Sequence, residues 1–205
     1  MISSLIVIDD FYAEPMAVRQ KALELDYPAP DGQTNFPGRN SRQQLLLPGL
    51  DELVSEITGE RLKASPNNVH GRCRMSYAGD DAHRRYRVHI DPGVVWSGIV
   101  YLSLPEHCQG GTEFFRHRAT NSDRTPLYPH ELKAAGVTRY WEAGDRIVQQ
   151  DSNDMEKWEL TSVVPMRFNR LILLRPWLYH TAGPSFGDCP ENCRLVHLFF
   201  FEGVA

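Results

Sequence analysis

The sequence predicts a mainly β (α+β) protein in which a jelly-roll-like pair of sheets is buttressed by N-terminal helices. Two observations support this fold class. From residue 69 onwards, short apolar segments alternate with turns that contain proline and glycine, as expected for short strands. The first third of the chain instead carries apolar residues at helical spacing. Because 205 residues most simply form one domain, we expect residues 1–205 to share a single fold.

The N-terminal segment, residues 1–68, is expected to form a strand and two helices. The predicted elements are a strand at 5–8, helices at 15–25 and 50–62, and a loop at 28–44 that is rich in Pro, Gly, Asn and Gln. Asp9 and Asp10 could cap the first helix, and Pro15 suits its first turn.

The segment 69–202 is expected to form the paired sheets. Its candidate strands are 69–77, 86–90, 95–104, 113–116, 158–164, 168–175 and 194–202. A polar insertion, residues 117–157, interrupts them and contains two possible short helices at 130–135 and 143–150. We expect the insertion to lie over one end of the sheets, where loops commonly carry specificity.

Composition excludes several classes of partner. The net charge of −4 provides no basic surface for nucleic acid or an anionic membrane. No apolar run approaches the ~20 residues that span a bilayer, and the N-terminus lacks the basic start of a signal peptide. We therefore expect a cytoplasmic protein, a possible homodimer, that binds a small molecule or a peptide.

The four cysteines, Cys73, Cys108, Cys189 and Cys193, are scattered along the chain. Cys189 and Cys193 could form a metal clip or a disulfide. A structural zinc site, however, usually needs a second ligand pair at matching spacing, and nothing points to an oxidising compartment. Reduced cysteines that pack in the core are the favoured interpretation.

A His-x-Asp pair is the most informative local feature. His89 and Asp91 lie in a predicted strand, so their side chains should point to the same side. His180 follows another apolar strand 91 residues later. Two histidines and one carboxylate form the facial triad of non-haem Fe(II) oxygenases, which leaves positions open for oxygen and a co-substrate.

Two further features reinforce this hypothesis. The pair Gly110-Gly111 permits a tight return of the chain into the strand that follows. Arg194 opens an apolar strand 14 residues after His180, and alternation places His197 on the opposite face, where a packing role is expected. A buried arginine needs an anionic partner, which its planar fork can bind in a bidentate manner.

Together these motifs resemble the Fe(II)- and 2-oxoglutarate-dependent dioxygenases, most closely the branch that contains the prolyl hydroxylases. The resemblance covers roughly residues 72–202. It rests on the order His-x-Asp, Tyr-Leu-Ser at 101–103, Gly-Gly-Thr-Glu-Phe at 110–114, a distal histidine, and an arginine on the last strand. The opening Val-Ile-Asp-Asp-Phe-Tyr at 7–12 is similar to many bacterial members. The resemblance implies a double-stranded β-helix, the cupin-like form of the jelly roll.

The resemblance also implies roles for individual residues. His89, Asp91 and His180 would bind the iron, and Arg194 would bind the distal carboxylate of 2-oxoglutarate. With O2, such a site converts 2-oxoglutarate to succinate and hydroxylates an unactivated carbon, here of a small metabolite, an amino acid or a peptide side chain. Asp91 argues against halogenation, because related halogenases carry a small residue at that position.

Two tyrosines match positions near the co-substrate in the family. Tyr101 would help to hold the same carboxylate as Arg194, and Tyr77 would lie close to the co-substrate. One departure is the arginine-rich run before His89, which contains Arg84, Arg85 and Arg87. If the strand of His89 extends back that far, Arg87 shares its face and could meet an anionic substrate.

Two other functions remain open at this point. The chain could be a non-catalytic cupin-like module that binds a metal or a ligand without turnover. It could also be a zinc or manganese enzyme on the same barrel that uses no keto acid. Arg194 separates the last alternative from an oxygenase, since a site without 2-oxoglutarate gives this arginine no role.

Overall fold

Two antiparallel sheets and four α-helices form the protein, as seen in a computed structural model that describes residues 3–29, 32 and 34–204. The strands are β1 (Leu5–Ile8), β2 (Arg39–Gln44), β3 (Leu62–Ala64), β4 (Arg72–Ser76), β5 (Trp96–Tyr101), β6 (Gly111–His117), β7 (Trp158–Pro165), β8 (Leu171–Leu174), β9 (His180–Thr181) and β10 (Arg194–Gly203). The helices are α1 (Pro15–Leu23), α2 (Leu50–Thr58), α3 (Pro129–Ala134) and α4 (Tyr140–Asp151). None of the described helices is long and apolar enough to cross a membrane.

The larger sheet is organised around β10. Its strand order is β1-β8-β5-β10-β4-β2, and β3 pairs with the far end of β10. The smaller sheet has the order β7-β6-β9. Every pair of named strands is antiparallel, so short turns suffice for many of the connections.

The two faces of β10 belong to different hydrophobic clusters. Leu195, Phe199 and Phe201 pack with residues of α1 and α2, which cover the outer face of the larger sheet. Val196 and Leu198 face the smaller sheet and pack with residues of β6 and β7. The strand period of two therefore divides the core into an outer, helix-covered layer and an inner layer between the sheets. The predicted position of the N-terminal helices on one sheet is confirmed.

Most of the predicted elements are present with shifted ends. The strand at 5–8 is confirmed, and the first helix ends at Leu23 rather than at residue 25. The second helix ends at Thr58, because Gly59 adopts a left-handed conformation (φ 71°) and stops it, and Leu62 already belongs to β3. The helices of the insertion lie at Pro129–Ala134 and Tyr140–Asp151.

Two element predictions are wrong. Part of the expected loop 28–44 is β2, a polar strand at the edge of the larger sheet; residues 30, 31 and 33 of that range lie outside the described residues. Residues 86–90 form no strand, because their backbone bonds go to three different segments. Tyr86 donates to Asn35, Val88 to Ser152, and His89 to His180.

The acidic pair at the N-terminus does not cap α1, whose N-cap residue is Glu14. Asp9 instead accepts hydrogen bonds from Arg167 (2.6 Å) and Arg170 (2.6 Å) in the turn between β7 and β8. Salt bridges to these arginines, with the backbone pairing of β1 to β8, connect the N-terminus to the core.

The insertion 117–157 packs through α4 on the segment that carries the His-x-Asp pair. Gly144 lies against Ile90, the residue between His89 and Asp91. A Cβ at position 144 would lie 2.4 Å from Ile90 Cδ1 and 2.7 Å from Thr125 Cγ2. The absence of a side chain at this position lets the helix approach Ile90 closely.

His197 is buried on the outer face of β10, as alternation predicts, and its ring packs between the N-terminal segment and the sheet. Nδ1 lies 3.0 Å from the Tyr12 hydroxyl and Nε2 lies 3.2 Å from the carbonyl oxygen of Gly71. Burial lowers the pKa of His197 to about 4. Its folded form is therefore neutral, whereas the unfolded chain takes up a proton near pH 6.5.

This difference predicts that His197 makes stability pH-dependent. Its contribution is fully present above pH 6.5 and is lost as the pH falls towards 4, by about 3 kcal/mol. Urea denaturation at pH 7 and pH 4 should therefore show a smaller acid-induced loss of unfolding free energy in His197→Gln than in the unsubstituted protein. His130→Gln, at an exposed position, should keep the full loss. Equal losses in all three proteins would contradict the assignment.

Candidate metal centre

A single backbone bridge brings the two halves of the centre together. His89 N–H donates to the carbonyl of His180 (2.9 Å), and His180 N–H donates to the carbonyl of His89 (3.1 Å). In an antiparallel pair of this kind, the two side chains lie next to each other on one face. The imidazole centroids are accordingly 4.4 Å apart, although 91 residues separate the two histidines in the sequence.

The orientation of both imidazoles is fixed by the chain itself. Nδ1 of His89 lies 3.0 Å from the carbonyl oxygen of Arg87, and Nδ1 of His180 lies 2.9 Å from that of Leu178. A carbonyl only accepts, so Nδ1 carries the proton in each ring. The Nε2 atoms are left with free lone pairs that point to a common centre, which is how metal-binding histidines are held.

Asp91 completes the cluster. Its backbone N–H donates to the carbonyl of Pro176 (2.9 Å), which fixes the segment beside the strand that leads to His180. Oδ1 lies 3.8 Å from Nε2 of His89, and Oδ2 lies 3.5 Å from Nε2 of His180. The hydroxyl of Ser97, on β5, donates to Oδ2 at 2.6 Å.

The donor set fits a divalent transition metal. One ligand atom from each of the three residues lies within 4.8 Å of the others. Two atoms bound to the same ion can be at most ~4.2 Å apart, twice a typical metal bond to nitrogen or oxygen. The distances from Asp91 oxygens to the two Nε2 atoms, 3.8 Å and 3.5 Å, are below that limit. Two neutral imidazoles and one carboxylate on one side of the ion leave the opposite positions open. This is the only group of three or more such ligands among the described residues.

The electrostatics of the cluster favour a cation. Burial would raise the pKa of Asp91, but the adjacent His180 and His89 and the hydrogen bond from Ser97 outweigh it and hold this pKa below its usual range. Burial, reinforced by His180, lowers the pKa of His89 to about 4. Burial lowers the pKa of His180, but the negative charge of Asp91 outweighs it, so the pKa of His180 lies above its usual value.

Arg194 is buried close to this centre and has no acidic partner. Only 3% of the residue is exposed, and Nη2 donates to the carbonyl of Ala182 (2.8 Å), two residues after His180. Nε is buried without a hydrogen-bond partner, and no salt bridge to Arg194 is found in the described part of the chain. A buried guanidinium in this state is costly unless an anion binds to it.

The two predicted tyrosines lie in different places. Tyr101 is fully buried between the sheets, its ring 5.8 Å from the guanidinium carbon of Arg194 and its hydroxyl 2.7 Å from Thr112 Oγ1. Tyr77 lies on the outer face of the larger sheet, where its hydroxyl contacts Met75 Sδ. Strand parity points Tyr77 away from Arg74 and the cavity, and its predicted contact with the co-substrate stays a prediction.

A cavity of about 670 Å³ opens on the three ligand residues. Asp145, Val148 and Gln149 of α4 form part of its wall, so the insertion contributes to the site as expected. The lining residues that sequence reasoning missed are Phe36, Arg72 and Arg74. Arg87 does not line the cavity, because the strand that would have aligned it with His89 does not form.

The cysteines play no part in this site. All four are free, and among the residues that the structure describes neither Cys189 nor Cys193 belongs to a cluster that could hold a metal.

Comparison of folds finds solved structures that resemble this chain. The crystal structure of HygX from Streptomyces hygroscopicus, with nickel and 2-oxoglutarate bound, is 15% identical and matches with a TM-score of 0.54 over 98% of this chain and 84% of HygX. A second HygX structure, which also holds hygromycin B, gives a TM-score of 0.55 at the same identity and coverage. SnoK, a non-haem α-ketoglutarate-dependent carbocyclase of nogalamycin biosynthesis, is 11% identical and gives 0.55 over 97% of this chain and 79% of SnoK. At these identities the comparison establishes a shared fold.

Sequence comparison gives a family without an assigned activity. A search among curated proteins found no match. The model of a family of unknown function, DUF6445, matches residues 2–200, and the chain belongs to that family.

The hydrogen bond from Ser97 predicts a measurable effect on metal affinity. Ser97→Ala removes the group that orients Asp91, and such supporting contacts are typically worth ~10–100-fold in metal affinity. A titration with Mn(II), followed by electron paramagnetic resonance, should show weaker binding of that order. Ser162→Ala, on the exposed side of β7, should bind Mn(II) like the unsubstituted protein. Unchanged affinity in Ser97→Ala would show that Asp91 is held without this hydroxyl.

Proposed function

We propose that this member of the DUF6445 family is an Fe(II)- and 2-oxoglutarate-dependent oxygenase that hydroxylates an unactivated carbon. The observation that carries the proposal is the pairing of a metal-ligand cluster with a buried cation in one fold. One is the His89, Asp91 and His180 cluster, with both Nε2 atoms free of other partners. The other is the buried guanidinium of Arg194, which forms no salt bridge among the described residues and whose Nε has no hydrogen-bond partner.

Each ligand residue has a defined part. His89 and His180 would hold the metal through Nε2, and Asp91 through the oxygen that Ser97 leaves free. The carbonyls of Arg87 and Leu178 keep both rings in the tautomer that binds a metal. When bound, the ferrous ion supplies the oxidative chemistry with O2, and the protein supplies orientation and the exclusion of water.

Arg194 would bind the distal carboxylate of 2-oxoglutarate. Its bond to the Ala182 carbonyl fixes it relative to the strand of His180, so the anion and the metal ligands are held in one frame. Tyr101 packs beside the guanidinium and restricts its movement. The Tyr101 hydroxyl is bonded to Thr112 and could turn towards the same carboxylate.

The finer parts of the proposal rest on the sequence pattern. We propose that the two sheets form a double-stranded β-helix as a single domain, that the protein is related to the prolyl-hydroxylase branch, and that its substrate is a small metabolite, an amino acid or a peptide side chain. HygX, which has been crystallised with 2-oxoglutarate, and SnoK, which is α-ketoglutarate-dependent, support the co-substrate assignment through the shared fold.

A non-catalytic cupin-like module is the second candidate, since a metal and a keto acid could bind here without turnover. A zinc or manganese enzyme without a keto acid is less well supported, because it leaves Arg194 buried and unpaired.

Adding Fe(II) and 2-oxoglutarate without air is expected to produce a weak visible charge-transfer band, and admission of air should then yield succinate. A band without succinate, across a panel of metabolites and peptides, would favour the binding module. No band at all would exclude the proposed co-substrate site. His180→Ala, which removes one ligand, is the negative control for both readings.

Arg194→Met keeps the bulk of the side chain and removes the charge. We expect it to raise the concentration of 2-oxoglutarate needed for half-maximal succinate formation by at least tenfold, since a charge-assisted bidentate contact is lost. Arg116→Met makes the same chemical change at a half-exposed pair with Glu159 and should have no effect. If both variants behave like the unsubstituted protein, Arg194 does not bind the co-substrate.

A further inference from the structure

The cavity contains a second cationic group that the proposed reaction does not use. Arg74 lies on β4 and lines the same cavity as His89, Asp91 and His180. Arg72, two residues earlier, also lines it, as strand alternation requires. Neither arginine is needed to hold a metal, and Arg194 already provides one site for a carboxylate.

The guanidinium of Arg74 is only partly satisfied. Its Nε donates to Asn40 Oδ1 at 2.7 Å, and this is its one hydrogen bond among the described residues. It forms no salt bridge in that part of the chain, although Asp91 is near enough for its negative charge to raise the pKa of Arg74. The oxygens of Asp91 are turned to His89, His180 and Ser97. The terminal nitrogens of Arg74 thus remain free to donate.

Arg74 remains a cation in this position. Burial lowers its pKa to about 10, well above neutral pH. Its guanidinium carbon lies 5.6 Å from the centroid of the Phe36 ring, and that centroid lies 4.3 Å from the centroid of the His89 imidazole, with the two rings tilted by 46°. A group bound to Arg74 would therefore be held one aromatic ring away from the metal ligands.

The cavity also has room for a second molecule. Its volume of about 670 Å³ is in the range of sites for drug-sized ligands, and a five-carbon keto acid would fill only a part. The wall beyond the ligands mixes apolar groups with amides, among them Val69, Asn67 and Asn68. Such a wall suits a small organic molecule with few charges.

We propose that Arg74, assisted by Arg72, binds an oxyanionic group of the substrate, and that this contact places the rest of the substrate beside the metal. The inference rests on the proposed function and names the substrate class: a small molecule with a carboxylate or a similar oxyanion. Arg74 is a binding and positioning residue for the substrate, whereas Arg194 serves 2-oxoglutarate.

The two arginines can be separated by a binding experiment that needs neither turnover nor the natural substrate. The protein is loaded with Zn(II), which is redox-inert and diamagnetic. Inorganic sulfate is then titrated at constant ionic strength, with and without saturating 2-oxoglutarate. Binding is followed through the Nε–H signals of arginine in ¹H–¹⁵N spectra, and the signal of Arg74 is assigned by its absence in Arg74→Met. The affinity for 2-oxoglutarate is measured separately by calorimetry.

We expect sulfate to shift the Arg74 signal while 2-oxoglutarate is bound, and Arg74→Met to weaken sulfate binding at least tenfold while 2-oxoglutarate affinity changes less than threefold. Arg194→Met should show the reverse pattern, and Arg116→Met should alter neither. Sulfate binding that is absent, or unchanged in Arg74→Met, overturns the inference. So does a tenfold loss of 2-oxoglutarate affinity in Arg74→Met, which would make Arg74 the co-substrate residue.

Failure of the proposed function would look different. In that case Zn(II)-loaded protein would bind no 2-oxoglutarate, and Arg194→Met would change nothing. The sulfate titration without 2-oxoglutarate would still report on Arg74 as an anion site.

Discussion

The reciprocal backbone bridge between His89 and His180 is the constraint on which the site depends. Two hydrogen bonds set two imidazoles side by side, and the carbonyls of Arg87 and Leu178 turn both rings to the same centre. Each carbonyl belongs to the residue two positions before its histidine, so the chain orients each ligand locally. The bridge joins segments that are 91 residues apart, so two backbone hydrogen bonds are enough to bring the two candidate metal-binding histidines together.

The larger sheet supports this bridge from behind. β10 is bonded on both sides, and its two faces separate the helix-covered layer from the layer between the sheets. Arg194 opens β10 on the inner face, and Ser97 projects from the adjacent β5 to Asp91. The positions of Arg194 and Ser97 relative to each other are therefore fixed by strand pairing. His89 and Asp91 lie outside the named strands and are held by separate backbone hydrogen bonds to His180 and Pro176.

The sequence predicted those parts of the site that depend on local pattern. The apolar run of β10 and its period of two were sufficient to separate the face of Arg194 from that of His197. The 91-residue gap between His89 and His180 could be bridged only by the family resemblance, because pairing between distant segments leaves no local trace. The family match alone selected Tyr77, and the structure packs its side chain in the hydrophobic cluster on the outer face of the larger sheet.

Arg74 was not identified from the sequence. It alternates with Cys73 and Met75, the pattern that drew attention to Arg194, but no family motif singled out this strand position. The absence of a strand at 86–90 was equally hidden, because these residues find three separate backbone partners instead of one continuous neighbour. Departures from regular strand pairing are common beside functional sites, where they change the direction in which a side chain points.

The charges around the cavity give an independent argument for its occupants. Arg72 and Arg74 contribute two positive charges to the wall, and Asp91 and Asp145 contribute two negative ones. The wall therefore carries two charges of each sign, and a divalent metal with the dianion of 2-oxoglutarate keeps that balance. Arg194 does not line the cavity, and Asp81 and Glu113 are near enough to raise its pKa. The oxygens of Asp91 are turned to His89, His180 and Ser97, so Arg74 lacks a hydrogen-bond acceptor that an oxyanion of the substrate would supply. Arg74, with its terminal nitrogens free, is the group placed to receive it.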